Sequence, residues 1–86
     1  GTALLIEEGD IVLKTADGTG SADISAHGSA NIIQVDQAIT TMPAGTAGQI
    51  LYIYNSSGAP VNVAGSSVTN GKIMPFVYIG GTWRGM

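Results

Sequence analysis

Residues 48–86 decide the fold of this chain, and they read GQILYIYNSSGAPVNVAGSSVTNGKIMPFVYIGGTWRGM. Short alternating apolar runs are each closed by a turn rich in Gly, Asn or Ser, which is typical of strands joined by tight turns. No window of the chain shows the i, i+3, i+4, i+7 apolar spacing of a helix. We therefore predict an all-β domain, a small antiparallel sandwich or barrel. The stretch holds every aromatic residue of the chain: Tyr52, Tyr54, Phe76, Tyr78 and Trp83.

The strongest strand candidate, residues 49–55, is apolar on both faces. Alternation places Ile50, Tyr52 and Tyr54 on one face and Leu51 and Ile53 on the other. In a small antiparallel sheet one face normally meets water. We therefore expect this strand to be buried on both faces, with a second subunit covering one of them. The predicted core and subunit-interface residues are Ile50, Leu51, Tyr52, Ile53, Tyr54, Phe76, Tyr78 and Trp83.

Three turns are predicted to organise the second half of the chain. A loop at 56–59 should return the chain against residues 49–55, so that Tyr54 faces Val61 and Tyr52 faces Val63. The Asn-Gly pair at 70–71 is a strong hairpin signal.

The Gly-Gly pair at 80–81 predicts a second hairpin, with Tyr78 opposite Trp83 and Phe76 on the same face. Pro75 lacks a backbone N–H and is expected at a strand start or an edge.

The first half gives weaker signals. Residues 11–15, 31–35 and 39–42 are rich in β-branched residues and are predicted as strands. A turn is expected at 16–21, with the Asp17-Gly18 pair supplying the positive φ.

The scarcity of charge predicts an assembly. The chain has 86 residues, three Lys or Arg and six Asp or Glu, so 10% are charged. Ordinary globular domains have about 25%. A core of this size is marginal without disulfides, metals or partners, and the chain has no cysteine. Neighbouring subunits covering much of the surface would account for both facts. The alternative is a monomer with a neutral exterior rich in Ser and Thr.

Charge and hydropathy also exclude some classes of function. The net charge of −3 argues against nucleic acid binding, which needs a basic surface. No apolar run reaches the length of a membrane span, and none resembles a signal peptide. Because the sequence starts with Gly1, we expect it to be a piece of a longer chain.

No constellation of side chains indicates catalysis. The lone His27 is flanked by small residues and has no neighbouring acid or nucleophile, and the adjacent Glu7 and Glu8 are expected in a solvated turn. Residues 17–23 hold two acids but lack the alternating ligands of a calcium loop. We expect no catalytic, cofactor or metal site. The tyrosines and Trp83 could instead form a sugar-stacking platform, although alternating aromatics on strands are more often core.

Residues 31–86 resemble the C-terminal tip domain of bacteriophage tail or head fibres. The likeness is carried by GQILYIYNSSG at 48–58, VNV at 61–63 and FVYIGGTWR at 76–84. Such tips often have a G-Q strand ending in Asn, a short V-x-V strand and a terminal F-x-Y-x-G-G-x-W hairpin. Residues 1–30 match no such pattern and are interpreted as a junction between fibre shaft and tip.

The resemblance implies a non-enzymatic virion structural protein. It implies a parallel homotrimer about a threefold axis, joined to an upstream fibre shaft and exposed on the virion, where it contacts a host-surface glycan or protein. It implies no nucleic acid partner and no membrane insertion, and it transfers no receptor-binding residue. Two alternatives stay open: a trimeric capsid decoration protein without a receptor, and a secreted carbohydrate-binding β-module.

Overall fold

The computed structural model describes residues 12–86, and within them the chain is all-β. The all-β prediction is confirmed, since the described part has no α-helix and only a single 3₁₀ turn at Ser25–His27. The seven strands are β1 (Thr15–Asp17), β2 (Ile32–Val35), β3 (Ile50–Asn55), β4 (Val61–Val63), β5 (Ser66–Val68), β6 (Ile73–Ile79) and β7 (Thr82–Gly85).

Five of the strands form one mixed sheet in the order β1-β2-β3-β6-β7. The β3–β6 and β6–β7 pairs are antiparallel, whereas β1–β2 and β2–β3 are parallel. Strands β4 and β5 form a separate antiparallel hairpin. Antiparallel pairing therefore predominates, as predicted, but the N-terminal half of the sheet is parallel.

The two parallel connections supply most of a second layer. Parallel neighbours need a long crossover, and here residues 18–31 and 36–49 make the two crossovers without an α-helix. The two crossovers meet at a parallel bridge between Asp23 and Thr41, and the second meets β4 at a bridge between Ile39 and Val63. The hairpin and the crossovers together cover one face of the five-stranded sheet.

The core lies between these two layers. Alternation along β2 and β3 turns Ile33, Val35, Leu51 and Ile53 inward, and Phe76 of β6 joins them. The facing layer contributes the other buried apolar residues Ile24, Ala30, Ile39, Val63 and Val68, and β7 contributes Trp83.

The predicted pairing of Tyr54 with Val61 and of Tyr52 with Val63 is wrong. Strand β3 pairs with β2 and β6, and β4 turns away to pair with β5. The turn between them uses Ala64 and Gly65, with φ of 49° and 81°. Two successive positive φ values match the twist of a tight hairpin, but an alanine rarely adopts them, so the sequence gives little sign of this turn.

The Asn70-Gly71 pair forms a turn with a positive φ at Gly71, but it does not close a hairpin. Its neighbours β5 and β6 belong to different sheets, because β4 already pairs with β5. The Gly71 N–H donates to the Asn55 carbonyl, and the Asn55 N–H donates to the Lys72 carbonyl. The turn therefore returns the chain from the small hairpin to the large sheet.

The hairpin predicted at the Gly-Gly pair is confirmed. Gly80 and Gly81 have φ of 67° and 83°, which suits a two-residue turn. Tyr78 lies opposite Trp83. The two rings meet edge to face, with centroids 5.3 Å apart.

Pro75 does not lie at a strand start or an edge, because β6 is an interior strand. In an antiparallel ladder a residue's N and C=O point to the same neighbour. The Pro75 carbonyl accepts from Met86 N, one residue beyond the end of β7. The missing N–H therefore falls at the end of a ladder, where it costs little.

The remaining local predictions have mixed outcomes. The strand predicted at 31–35 is found as β2 (Ile32–Val35), but residues 39–42 make only isolated bridges. The positive φ of the first turn is at Gly20, not at Gly18; Gly18 is buried, and a Cβ there would contact Ile24 and Ile33. The strand predicted at 11–15 is found only at Thr15, because β1 is Thr15–Asp17 and extends into the predicted turn; Ile11 lies outside the described residues.

The interpretation of residues 1–30 as a shaft-to-tip junction that forms one compact unit with residues 31–86 stays a prediction. The described part of that segment contributes β1 to the large sheet and Ile24 and Ala30 to the core. No helix in residues 12–86 is long and apolar enough to cross a membrane.

Candidate functional site

The face of the five-stranded sheet that points away from the core is the candidate site, and we name it the outer face. Residues alternate across a strand, and paired residues of neighbouring strands share a face. The burial patterns and the registers then assign its members. They are Thr15, Asp17, Ile32, Gln34, Ile50, Tyr52, Tyr54, Ile73, Pro75, Val77, Ile79, Thr82 and Arg84.

The β3–β6 half of the outer face is apolar. Ile50, Ile73 and Ile79 are exposed by 46%, 55% and 53%. Pro75 and Val77 lie between them on β6 and are half-buried. Scattered apolar residues are common on protein surfaces, but a contiguous apolar patch marks a contact surface. The described layers leave this half of the sheet without a cover.

The β1–β3 half of the outer face holds a half-open hollow with a volume of about 270 Å³. The register aligns Asp17 of β1 with Gln34 of β2, and Gln34 with Tyr54 of β3. Three different chemical groups, a carboxylate, an amide and a phenol, therefore form one row across three strands. The hollow is lined by Thr15, Ala16, Asp17, Ile32, Gln34 and Tyr54.

Two of the polar side chains in the hollow are held in place. Asp17 Oδ1 accepts from Thr19 Oγ1 at 2.6 Å and from Thr19 N at 2.9 Å. These hydrogen bonds, first the hydroxyl and then the backbone one, lower the pKa of the Asp17 carboxyl. Gln34 Nε2 donates to Ser56 Oγ at 2.9 Å. The carboxylate and the amide are thus fixed before any ligand arrives.

Asp23 is another exposed acid, and its carboxylate accepts hydrogen bonds only within its own turn. Its Oδ1 accepts from Ser25 N at 2.9 Å. Hydrogen bonding from the Ser25 hydroxyl and then its backbone N–H lowers the pKa of the Asp23 carboxyl.

The predicted core and interface residues divide between the two faces. Leu51, Ile53, Phe76 and Trp83 are buried in the core, and Tyr78 packs against it half-buried. The outer face receives the other three, Ile50, Tyr52 and Tyr54.

Residues 12–86 cover only one face of β3, and the expected burial of its other face by a second subunit stays a prediction. Its inner side is buried, whereas Ile50 is exposed and the two tyrosines on the outer side are half-buried.

Trp83 is not available as a sugar-stacking platform. Its side chain is only 5% exposed, and its Nε1 donates to the Pro43 carbonyl at 2.9 Å. The aromatic side chains that reach the outer face are Tyr52 and Tyr54.

The weaker chemical candidates form no metal or catalytic cluster among the described residues. His27 ends the 3₁₀ turn, and Glu7 and Glu8 lie outside the described residues. Asp17 and Asp36 bind backbone N–H groups of the turn at Thr19 and Gly20. Among residues 12–86, no three His, Asp or Glu side chains are placed to hold a metal ion.

Asn55 is the important residue that the sequence did not reveal. It is fully buried at the end of β3. Its Nδ2 donates to the carbonyls of Ala59 and Val68, at 2.7 and 2.9 Å, and its Oδ1 accepts from Ser57 N at 2.9 Å. The amide thereby ties the loop after β3 to the hairpin. Its position at the end of an apolar strand was the available signal.

Comparisons with known proteins give little guidance. No protein-family model matches the chain, and no curated protein matches it. Among solved structures, it is similar to the crystal structure of a fragment of StcE, residues 132–251, from enterohemorrhagic E. coli. The identity is 15%, the TM-score is 0.49, and the match covers 91% of this chain and 96% of that chain. A TM-score below 0.5 supports no argument about function.

Proposed function

We propose that this chain is a non-enzymatic structural module of a virion, a homotrimeric fibre tip that contacts a molecule on the host surface. The likeness of residues 31–86 to phage fibre tips supports the biological setting. The observation that carries the proposal is the apolar half of the outer face.

The apolar half supports an assembly because it is broad and no part of residues 12–86 covers it. Ile50, Ile73, Pro75, Val77 and Ile79 lie on two adjacent strands. In a threefold assembly with this half turned to the axis, the three copies cover one another and form a shared apolar core. Ile50, Ile73 and Ile79 are already about half covered, so full burial of each would stabilise the assembly by about 1 kcal/mol, half the value for a fully exposed side chain.

The distribution of charge fits the same arrangement. No charged side chain lies on the outer face of β3 or β6, and the charges of that face are Asp17 on β1 and Arg84 on β7. Interface cores are depleted in charge, whereas rims are polar. The edges of the sheet would therefore form the rim.

The experiment is the solution mass by light scattering at low micromolar concentration. We expect a mass of three times 8.7 kDa. Ile73→Glu and Ile79→Glu should each reduce it to the monomer mass, because they place a charge in the interface core. Ser67→Glu adds the same charge on β5, away from the outer face, and should leave the trimer intact. A monomeric wild-type chain, or trimers that tolerate both isoleucine variants, would contradict the proposed assembly.

Attachment is tested separately from assembly. A fluorescently labelled trimer should bind to host cells and not to an assembled capsid lattice. Binding to the lattice alone would identify a decoration protein and remove the receptor role.

A further inference from the structure

The hollow on the β1–β3 half of the outer face meets the proposed trimer interface only at Tyr54 of β3, which is paired with Ile73 of β6. Its other lining residues are on β1 and β2, and β1 is three strands away from β6, about 14 Å at ordinary strand spacing. A trimer packed through β6 therefore leaves the β1 edge at its periphery. The question is which ligand the lining groups of the hollow could recognise.

We propose that this hollow binds a single neutral pyranose ring, the terminal sugar of a surface glycan, with Tyr54 against the ring and Asp17 and Gln34 on its hydroxyl groups. The proposal deepens the attachment role given above and rests on it for its biological meaning. The binding itself can be measured independently of that role.

The size and shape of the hollow fit one sugar residue. Its volume of about 270 Å³ is slightly below the range of drug-sized ligand pockets. Asp17 and Tyr54 are two strands apart, about 10 Å between their backbones, with Gln34 between them. Thr15, Ala16 and Ile32 complete the lining. A flat ring with an apolar face and a polar rim can lie across this row.

The chemistry of the lining groups favours hydroxyl groups. Within residues 12–86, the recorded hydrogen bonds of Asp17 use Oδ1 and leave Oδ2 available as an acceptor. Gln34 is held through its Nε2, which leaves Oε1 and the second amide hydrogen to face a ligand. A hydroxyl group can donate to the carboxylate and accept from the amide. Tyr54 supplies an aromatic surface for the C–H face of a sugar.

The charge of the hollow selects a neutral ligand. Asp17 is the only charged residue in the lining, and outside the lining, after the hydrogen bonds from Thr19, the charge of His27 makes a small contribution to the lowered pKa of the Asp17 carboxyl. An anionic sugar or a phosphate would bring a second negative charge beside it. The single carboxylate also lacks the second acid that glycoside hydrolysis needs. The hollow is therefore suited to binding without turnover.

The polar groups of the hollow are already held by hydrogen bonds within the chain, which favours sugar binding there. Thr19 holds the carboxylate of Asp17, and Ser56 holds the amide of Gln34. Side chains that are already ordered lose little entropy on binding. A single ring still offers few contacts, so a dissociation constant in the millimolar range is expected. Three copies in one trimer would raise the affinity for a multivalent glycan.

The test is saturation-transfer NMR on the whole chain with methyl glycosides of glucose, galactose, mannose and N-acetylglucosamine, and with N-acetylneuraminate as the anionic probe. At least one neutral glycoside should receive saturation, and N-acetylneuraminate should not. Absence of transfer to all four neutral glycosides, or stronger transfer to the anionic sugar, would overturn the proposal.

Single substitutions test whether the sugar binds in the hollow. Tyr54→Ala should weaken the interaction about tenfold. Asp17→Asn keeps the acceptor for Thr19 and should weaken it about threefold to tenfold. The matched controls are Tyr52→Ala on the same strand and Asp23→Asn in a similar turn, and both should bind like wild type. If Tyr54→Ala and Asp17→Asn are folded and both bind the sugar as tightly as wild type, the assignment of the sugar site to the hollow is overturned.

The two proposals fail in different ways. A trimer that binds no neutral sugar leaves the structural role standing and removes the sugar site. A monomer that binds a sugar through Tyr54 keeps the site and removes the trimeric fibre tip.

Discussion

Replacing Asn55 tests how this fold joins its two layers. The buried amide makes three hydrogen bonds, to Ala59 O, Val68 O and Ser57 N. A typical hydrogen bond contributes about 1 kcal/mol net to stability. Asn55→Ala should therefore lower the free energy of unfolding by about 3 kcal/mol. For an 86-residue chain this is a large part of a total that is usually about 5–15 kcal/mol.

Asn55→Asp is the sharper test, because it keeps the shape of the side chain and replaces the donating amide nitrogen with an oxygen that can only accept. The carboxylate can still accept from Ser57 N, but it points an acceptor at two carbonyl oxygens where the amide donated. We expect a loss of at least about 4 kcal/mol at pH 7, since a buried charge without donors is costlier than a missing hydrogen bond.

The stability lost in Asn55→Asp should decrease as the pH falls. Burial and the two carbonyls raise the pKa of the introduced carboxyl in the folded state above its unfolded value of about 3.9. The electrostatic penalty is absent below the unfolded pKa. It grows by about 1.36 kcal/mol per pH unit from there up to the folded pKa and is then constant. The gap between wild type and variant should therefore narrow from pH 7 to pH 3.5.

Urea unfolding followed by Trp83 fluorescence measures both effects, at one protein concentration so that assembly does not shift the midpoint. Asn62→Asp is the control, because Asn62 is exposed and its Oδ1 accepts from Gly65 N; it should change stability by less than about 0.5 kcal/mol. An Asn55→Asp variant within 1 kcal/mol (about fivefold in the unfolding constant) of wild type at pH 7, or one whose deficit does not shrink in acid, would refute this account.

Three further substitutions test packing and turn chemistry by thermal or urea unfolding. Gly45→Ala should destabilise by about 1–3 kcal/mol, because a Cβ there overlaps the Tyr78 ring; an unchanged midpoint would mean that the ring does not pack on this glycine. Trp83→Phe should cost about 1–3 kcal/mol, since it leaves the buried Pro43 carbonyl without its donor, and a neutral result would contradict that bond. Ala64→Asn should stabilise by about 0.5–1 kcal/mol, because asparagine tolerates the positive φ of 49° better than alanine; a loss would indicate that the alanine methyl group matters more than the backbone.

Local pattern in the sequence predicted the elements whose causes are local. The alternation in residues 49–55 located β3, and the Gly-Gly pair at 80–81 located the terminal hairpin with its Tyr78–Trp83 pairing. These signals succeed because a strand's face and a tight turn depend on neighbouring residues alone.

Strand partners were predicted poorly because pairing depends on residues that are distant in the chain. The position of β4 beside β5, and not β3, depends on the amide of Asn55 and on an alanine at positive φ in the turn. The parallel crossovers have no regular pattern of apolar residues, so nothing in the sequence indicates them. Pro75 lies in an interior strand only because β7 ends one residue before Met86.

The sequence by itself determined the all-β class, the apolar character of both sides of β3 and the scarcity of charge, because composition and alternation are properties of the chain alone. Only the tertiary structure decided which side of β3 is covered, since this depends on where the two crossovers and the β4–β5 hairpin pack. It also decided that Asp17, Gln34 and Tyr54 share one row, because parallel registry joins residues 17 and 20 positions apart. The candidate site is a product of that registry.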